Sequence, residues 1–134
     1  MTRAFLLSLG IALAGFASSA AASDKYAVKV DPATAKIHVA STARITLTPG
    51  AGLHVNTDAP ISLTMKLPAG VEGVGGKLAP SKKDKSGATF DVAFTAHNAG
   101  DQILDGTLSF VMCNDAQTEC VPGREKVQIK VAVK

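Results

Sequence analysis

Cys113 and Cys120 are the only cysteines in the chain. They sit in the stretch SFVMCNDAQTEC, separated by the polar run Asn114–Glu119. Two thiols this close can do three kinds of chemistry. They can close a disulfide across a hairpin, exchange electrons with the thiols of another protein, or offer soft ligands to a metal. Closing so short a loop stabilises a fold by about 2.5 kcal/mol on chain-entropy reasoning. A bond that serves stability alone does better between distant strands. The spacing therefore favours a chemical role and leaves the staple open. Asp115 and Glu119 lie between the two cysteines, and their negative charge disfavours a thiolate, so a free thiol here is a slow nucleophile until a partner docks.

Other chemistry-bearing residues form weaker patterns. His38, His54 and His97 are scattered, with no zinc-type spacing. Met65 and Met112 fall in phase with apolar positions, where core packing is the default role of methionine. Copper held by histidine, methionine and cysteine together would need a convergence that no spacing here encodes. No residue is therefore assigned to a metal or a cofactor. Gly75-Gly76-Lys77 fails as a phosphate loop, because Leu78 stands where a Ser or Thr is needed and Val71 where the first glycine is needed.

The opening segment carries Arg3, then an apolar run Ala4–Phe16, then Ala20-Ala21-Ala22. A positive start, a short apolar stretch and small residues at the end are the marks of a cleaved secretory signal over 1–22. The apolar run is too short to span a membrane comfortably, so no stable anchor is expected. No second arginine follows Arg3 for a twin-arginine route, and Leu13-Ala14-Gly15 precedes Phe16 rather than a lipidated cysteine. The mature domain is expected over 23–134, roughly 110 residues and long enough for an apolar core. Removing the one charge of Arg3 takes the formal net charge from +3 to +2. Aromatics are only 4% of the chain and no basic block interleaves with them, which argues against nucleic-acid binding. An exported chain is permitted a disulfide.

What must position the cysteines is a set of strands. Tyr26, Val28 and Val30 alternate with polar or small residues. So do Ile45 and Leu47; Ile61, Leu63, Met65 and Leu67; Phe90, Val92 and Phe94; Leu108, Phe110 and Met112; and Val127, Ile129, Val131 and Val133. Period two is the signature of half-buried strands. Pro49-Gly50, Pro68-Ala69-Gly70, Asn98-Ala99-Gly100 and Pro122-Gly123 punctuate them. No helical amphipathic stretch follows the signal. The expectation is an all-β, immunoglobulin-like two-sheet sandwich of about seven to nine short strands, by architecture only, since the chain has no tryptophan. On alternation, Cys113 ends its strand on the face opposite Phe110 and Met112, at the base of a hairpin. Glu72–Gly87 reads as one long polar connection, a solvated loop on composition, though loops of that length are often functional.

GTLSFVMCNDAQTECVPGREKVQIKVAVK, with PGAGLHVNTDAPISLTMKLPAGV, resembles the DsbD N-terminal-like family, the periplasmic N-terminal domain of thiol:disulfide interchange proteins. Pro49, Gly50, His54, Val55, Asn56 and Pro60 match its first motif; Cys113, Cys120, Pro122 and the strand Val127–Val133 match its second. The resemblance covers about Ile45 to Lys134. It implies an immunoglobulin-like sandwich in the periplasm. It further implies a protein thiol–disulfide oxidoreductase with Cys113 and Cys120 as catalytic residues. Cys120 would form the mixed disulfide and Cys113 would resolve it. The implied partners are periplasmic thioredoxin-like proteins and a membrane electron donor acting in trans, with Glu72–Gly87 as a cap over the sulfurs. The chain departs from the family in lacking aromatics in that cap, in a slightly longer cysteine spacing, and in stopping before a membrane domain. Those departures motivate a second reading, a non-enzymatic binding or assembly module with a structural disulfide.

Overall fold

A computed structural model describes residues 21–22 and 25–134. The signal-peptide expectation falls on 1–22 and so lies, apart from Ala21 and Ala22, outside the described residues.

Alternation becomes two sheets wherever apolar side chains share a face. In the first, β4 (Ala40–Pro49) pairs antiparallel with β10 (Gly87–Ala96). The register places Ile45 opposite Phe90, Leu47 opposite Ala88 and Ala43 opposite Val92, and all six are buried. Beyond β4 lie β2 (Tyr26–Val30) and the two-residue β1 (Ala21–Ala22). Beyond β10 lies β7 (Val71–Gly73), with β9 (Lys82–Asp84) paired to another part of β10.

The second sheet is built on a long hairpin. β11 (Gly100–Asn114) and β12 (Cys120–Val133) run in unbroken register from Gly100 opposite Val133 to Cys113 opposite Cys120. On its other side β11 carries β6 (Ser62–Lys66) and then, nearer the tip, β5 (Leu53–Val55). β8 (Gly76–Leu78) extends β6, and β3 (Ala33–Ala35) lies parallel to the end of β12. The chain changes sheets between β2 and β3 at Asp31-Pro32, where the Asp31 amide makes a last bond to the Arg44 carbonyl. Proline then has no amide to continue that ladder.

Leu63, Leu104, Leu108 and Ile129 from this sheet meet Phe90, Ile45, Leu47 and Val92 from the other, and none of the eight is exposed. Each large side chain so buried contributes about 1.5–3 kcal/mol relative to exposure. The all-β sandwich is as expected. The twelve strands among the described residues exceed the expected seven to nine because the additional ones are short and carry too few residues for a visible period.

The long connection Glu72–Gly87 is not a single loop. It contains the end of β7, all of β8 and β9, and it bonds to β10 and β6. The Lys85 carbonyl accepts from the Val55 amide at 3.0 Å, and Lys83 Nζ donates to the Thr57 carbonyl at 3.1 Å. The expected cap over the cysteines is corrected accordingly: the segment's backbone is committed to sheet edges.

Candidate functional site: the hairpin tip and the open edge of β12

Asn114 organises the tip. Its backbone carbonyl accepts from the Gln117 amide at 2.9 Å, and Gln117 takes φ 55°. A β-turn followed by one left-handed residue is a common way to close a hairpin. The Asn114 side chain holds the return strand: Oδ1 accepts from the Thr118 amide at 2.9 Å, and Nδ2 donates to Thr118 Oγ1 at 2.8 Å. The Asn114 amide donates to the Glu119 carbonyl at 2.9 Å. That makes Asn114 and Glu119 a hydrogen-bonded pair and the next pair, Cys113 and Cys120, a non-hydrogen-bonded one, where side chains come closest. The two cysteines are joined in a disulfide with their Cα atoms 4.1 Å apart.

As alternation required, Cys113 faces away from Phe110 and Met112, yet it is only 1% exposed, whereas Cys120 is exposed. On that outer face Cys113 lies beside His54 of β5, itself 9% exposed, with Nδ1 3.6 Å from Asp115 Oδ1. Nothing in the local pattern announces this contact, because β5 has three residues and its partner lies far along the chain.

On the inner face the tip is loosely filled. Tyr26, Leu53, Phe110, Met112, Val121 and Gly123 line an apolar cavity of about 110 Å³. The Phe110 ring lies across Gly123, where a Cβ would meet it at 2.3 Å, so only glycine fits under the ring. Tyr26 packs edge-on against the same ring, with centroids 4.7 Å apart. The Tyr26 hydroxyl donates to Glu125 Oε1 across the two sheets. That bond, partial burial and the Glu125 charge push the Tyr26 phenol up to about 12.

β12 has one occupied side and, over much of its length, one open side. Alternation of hydrogen-bonded pairs from Asn114–Glu119 turns the backbone groups of Pro122, Arg124, Lys126 and Gln128 away from β11. Among the described residues the only strand on that side is β3, which pairs with Val131–Val133. Pro122 occupies an outward-facing amide position, where a missing N–H costs nothing. The side chains of Arg124, Lys126, Gln128 and Lys130 are exposed on the outer face, so a cationic row runs along the open edge.

No family model matches the sequence, and neither does any curated protein. Solved structures that align with it include two bacterial surface subunits. One is AggA, the major subunit of aggregative adherence fimbriae type I from Escherichia coli, at 10% identity over 80% of this chain and 93% of that one, with a TM-score of 0.42. The other is the CooA pilin subunit from enterotoxigenic Escherichia coli, at 11% identity over 80% of this chain and 98% of that one, with a TM-score of 0.23. Both are fimbrial or pilin subunits.

That no family model matches corrects the resemblance to the DsbD N-terminal-like family. Thiol–disulfide exchange falls with it as the main reading, together with its thioredoxin-like partners and its membrane electron donor. The physical reason lies in what carried the resemblance. Strand alternation and two cysteines facing each other before a last strand belong to any sandwich with a disulfide at a hairpin tip. They carry no information about electron transfer.

The fold and the disulfide fit an exported protein in an oxidising compartment. Among the described residues no helix is long and apolar enough to cross a membrane.

Proposed function

We propose that this chain is an exported, non-enzymatic binding or assembly module, with residues 23–134 as its mature domain and the periplasm as its first destination. Its partner is an extended segment of another protein, which adds a strand to the open edge of β12. The carrying observation is that edge: outward backbone groups at Arg124, Lys126 and Gln128 with no strand beside them among the described residues. Strand addition draws affinity from main-chain hydrogen bonds and specificity from alternate side chains.

Charge selects the partner. A second copy of β12 would set Lys and Arg against Lys and Arg, which is destabilising for cross-strand pairs. Lysines and a proline on an edge also suppress indiscriminate pairing. A strand with carboxylates on one face satisfies Arg124, Lys126 and Lys130, while apolar residues on its other face approach the cavity beside Phe110 and Val121. In this reading the Cys113–Cys120 disulfide is a staple that keeps the tip of β12 in place for docking.

The test is titration with a labelled peptide of alternating Glu and Val, followed by amide NMR. Slowed exchange at Arg124, Lys126 and Gln128 is expected, and Gln128→Pro should abolish binding while the fold remains intact. Saturable binding that is indifferent to Gln128→Pro, or no binding at low salt, rejects the edge as the docking surface.

A further inference from the structure

The two sheets hold their cations differently. On the first sheet, Arg44 Nε lies 2.9 Å from Asp91 Oδ1 and Lys29 Nζ lies 3.3 Å from Asp31 Oδ1. On the second, Lys77, Arg124 and Lys126 are exposed, and none has an ion-pair partner among the described residues.

Strand register sets these cations around a polar floor. Lys77 of β8 stands opposite Thr64 of β6, Thr64 opposite Thr107 of β11, and Thr107 opposite Lys126 of β12. In the next row Ser62 stands opposite Ser109, and Ser109 opposite Arg124. Their strand neighbours Leu63, Leu108 and Val127 are buried and Leu78 packs against the core, so alternation turns both rows outward. Strands lie about 4.8 Å apart, so Lys77 and Lys126 stand about 14 Å apart across four strands, with threonine hydroxyls between them. Asp105, opposite Lys66, bounds the floor on one side, and Val111 bounds it on the other.

We propose that this face binds a linear acidic polysaccharide laid across β8, β6, β11 and β12. Cations at both ends of the floor call for a negatively charged ligand. They stand too far apart for one carboxylate to meet both, so the anions must be carried on one chain that spans the sheet. The Ser and Thr hydroxyls between them both donate and accept hydrogen bonds, which suits a ligand rich in hydroxyls of its own. A nucleic-acid strand is held on aromatic rings that stack its bases, and a bilayer is entered by large apolar side chains. This floor offers hydroxyls in both places. The face is distinct from the edge of β12 described above, although Arg124 and Lys126 border both.

The experiment is calorimetric titration of the purified protein with polygalacturonate, which carries one carboxylate per sugar. Saturable binding that weakens as salt is added is expected. Lys77→Gln/Lys126→Gln should weaken it by about tenfold. Thr107→Val, which changes no charge, should weaken it by about threefold. Lys29→Gln/Lys82→Gln removes two charges from the first sheet and should leave the affinity unchanged. Circular dichroism of each variant verifies the fold. Lys77→Gln alone should weaken polysaccharide binding and spare binding of the Glu and Val peptide, so this face and the β12 edge fail separately. An equal loss in Lys29→Gln/Lys82→Gln would reduce the binding to net charge and overturn the proposal. So would tighter binding to phosphatidylglycerol vesicles than to polygalacturonate, or no binding at low salt.

Discussion

From Gly100 to Leu108 and from Lys126 to Val133, the β11–β12 hairpin lies over a filled core, with Leu104 opposite Ile129 and both fully buried. β6 flanks this part of β11, and β3 flanks the end of β12. From Phe110 outward the same two strands keep their register, and β11 stays buried beside β5, but the β12 side at Cys120–Pro122 loses its cover. Met112 faces Val121, which is 40% exposed, and the inner face borders a cavity. There the strands are held by β5 beside Met112–Asn114, by a disulfide and by the Asn114 side chain, with the Tyr26–Glu125 bond at the boundary opposite Leu108. One ladder is thus stabilised in two ways. Dense burial serves where the second sheet is close, and discrete bonds serve where the strands run past it. A discretely held tip can keep its edge open for a partner, which a tip buried on every side could not.

The largest effect should come from the root. Ile129→Ala removes a fully buried side chain from a packed layer and should cost about 3–4 kcal/mol in urea unfolding. A cost under about 1 kcal/mol would mean that the root is no better packed than the tip.

Removing the staple comes next. Cys113→Ala/Cys120→Ala should lower stability by about 2.5 kcal/mol and should speed hydrogen exchange chiefly between Met112 and Val121. Uniform acceleration through Leu104 and Ile129 as well would show that the two ends are not energetically separate.

Tyr26→Phe is the smallest of the three, at about 1 kcal/mol for a partly buried bond to a carboxylate. The phenol is raised on folding from its ordinary value of 10 to about 12, so its contribution is complete below pH 10 and disappears as pH rises toward 12. The stability difference between the parent and Tyr26→Phe should therefore shrink over that interval. A constant difference from pH 8 to 12 would remove Glu125 from the account.

The sequence by itself determined the strand faces. Ile45, Leu47, Phe90, Val92, Leu108, Phe110, Val127 and Ile129 alternate with polar neighbours, and each is buried. Alternation is a local property of extended chain, so it can be read without knowing what covers the face. It also placed the two cysteines at the base of one hairpin, and Cys113 opposite the Phe110 face.

Tertiary structure decided the rest. Strands of three residues, such as β5, β8 and β9, exist because a neighbouring edge offers backbone partners, and no period can announce that. Burial of Cys113 depends on β5 arriving beside it, and the open side of β12 depends on β3 pairing with only its last residues. His38 and His97 meet because one turn and one strand end share bonds across the fold. Contacts between segments far apart in the chain leave no local periodic mark, so the face of each strand was legible and its company was not.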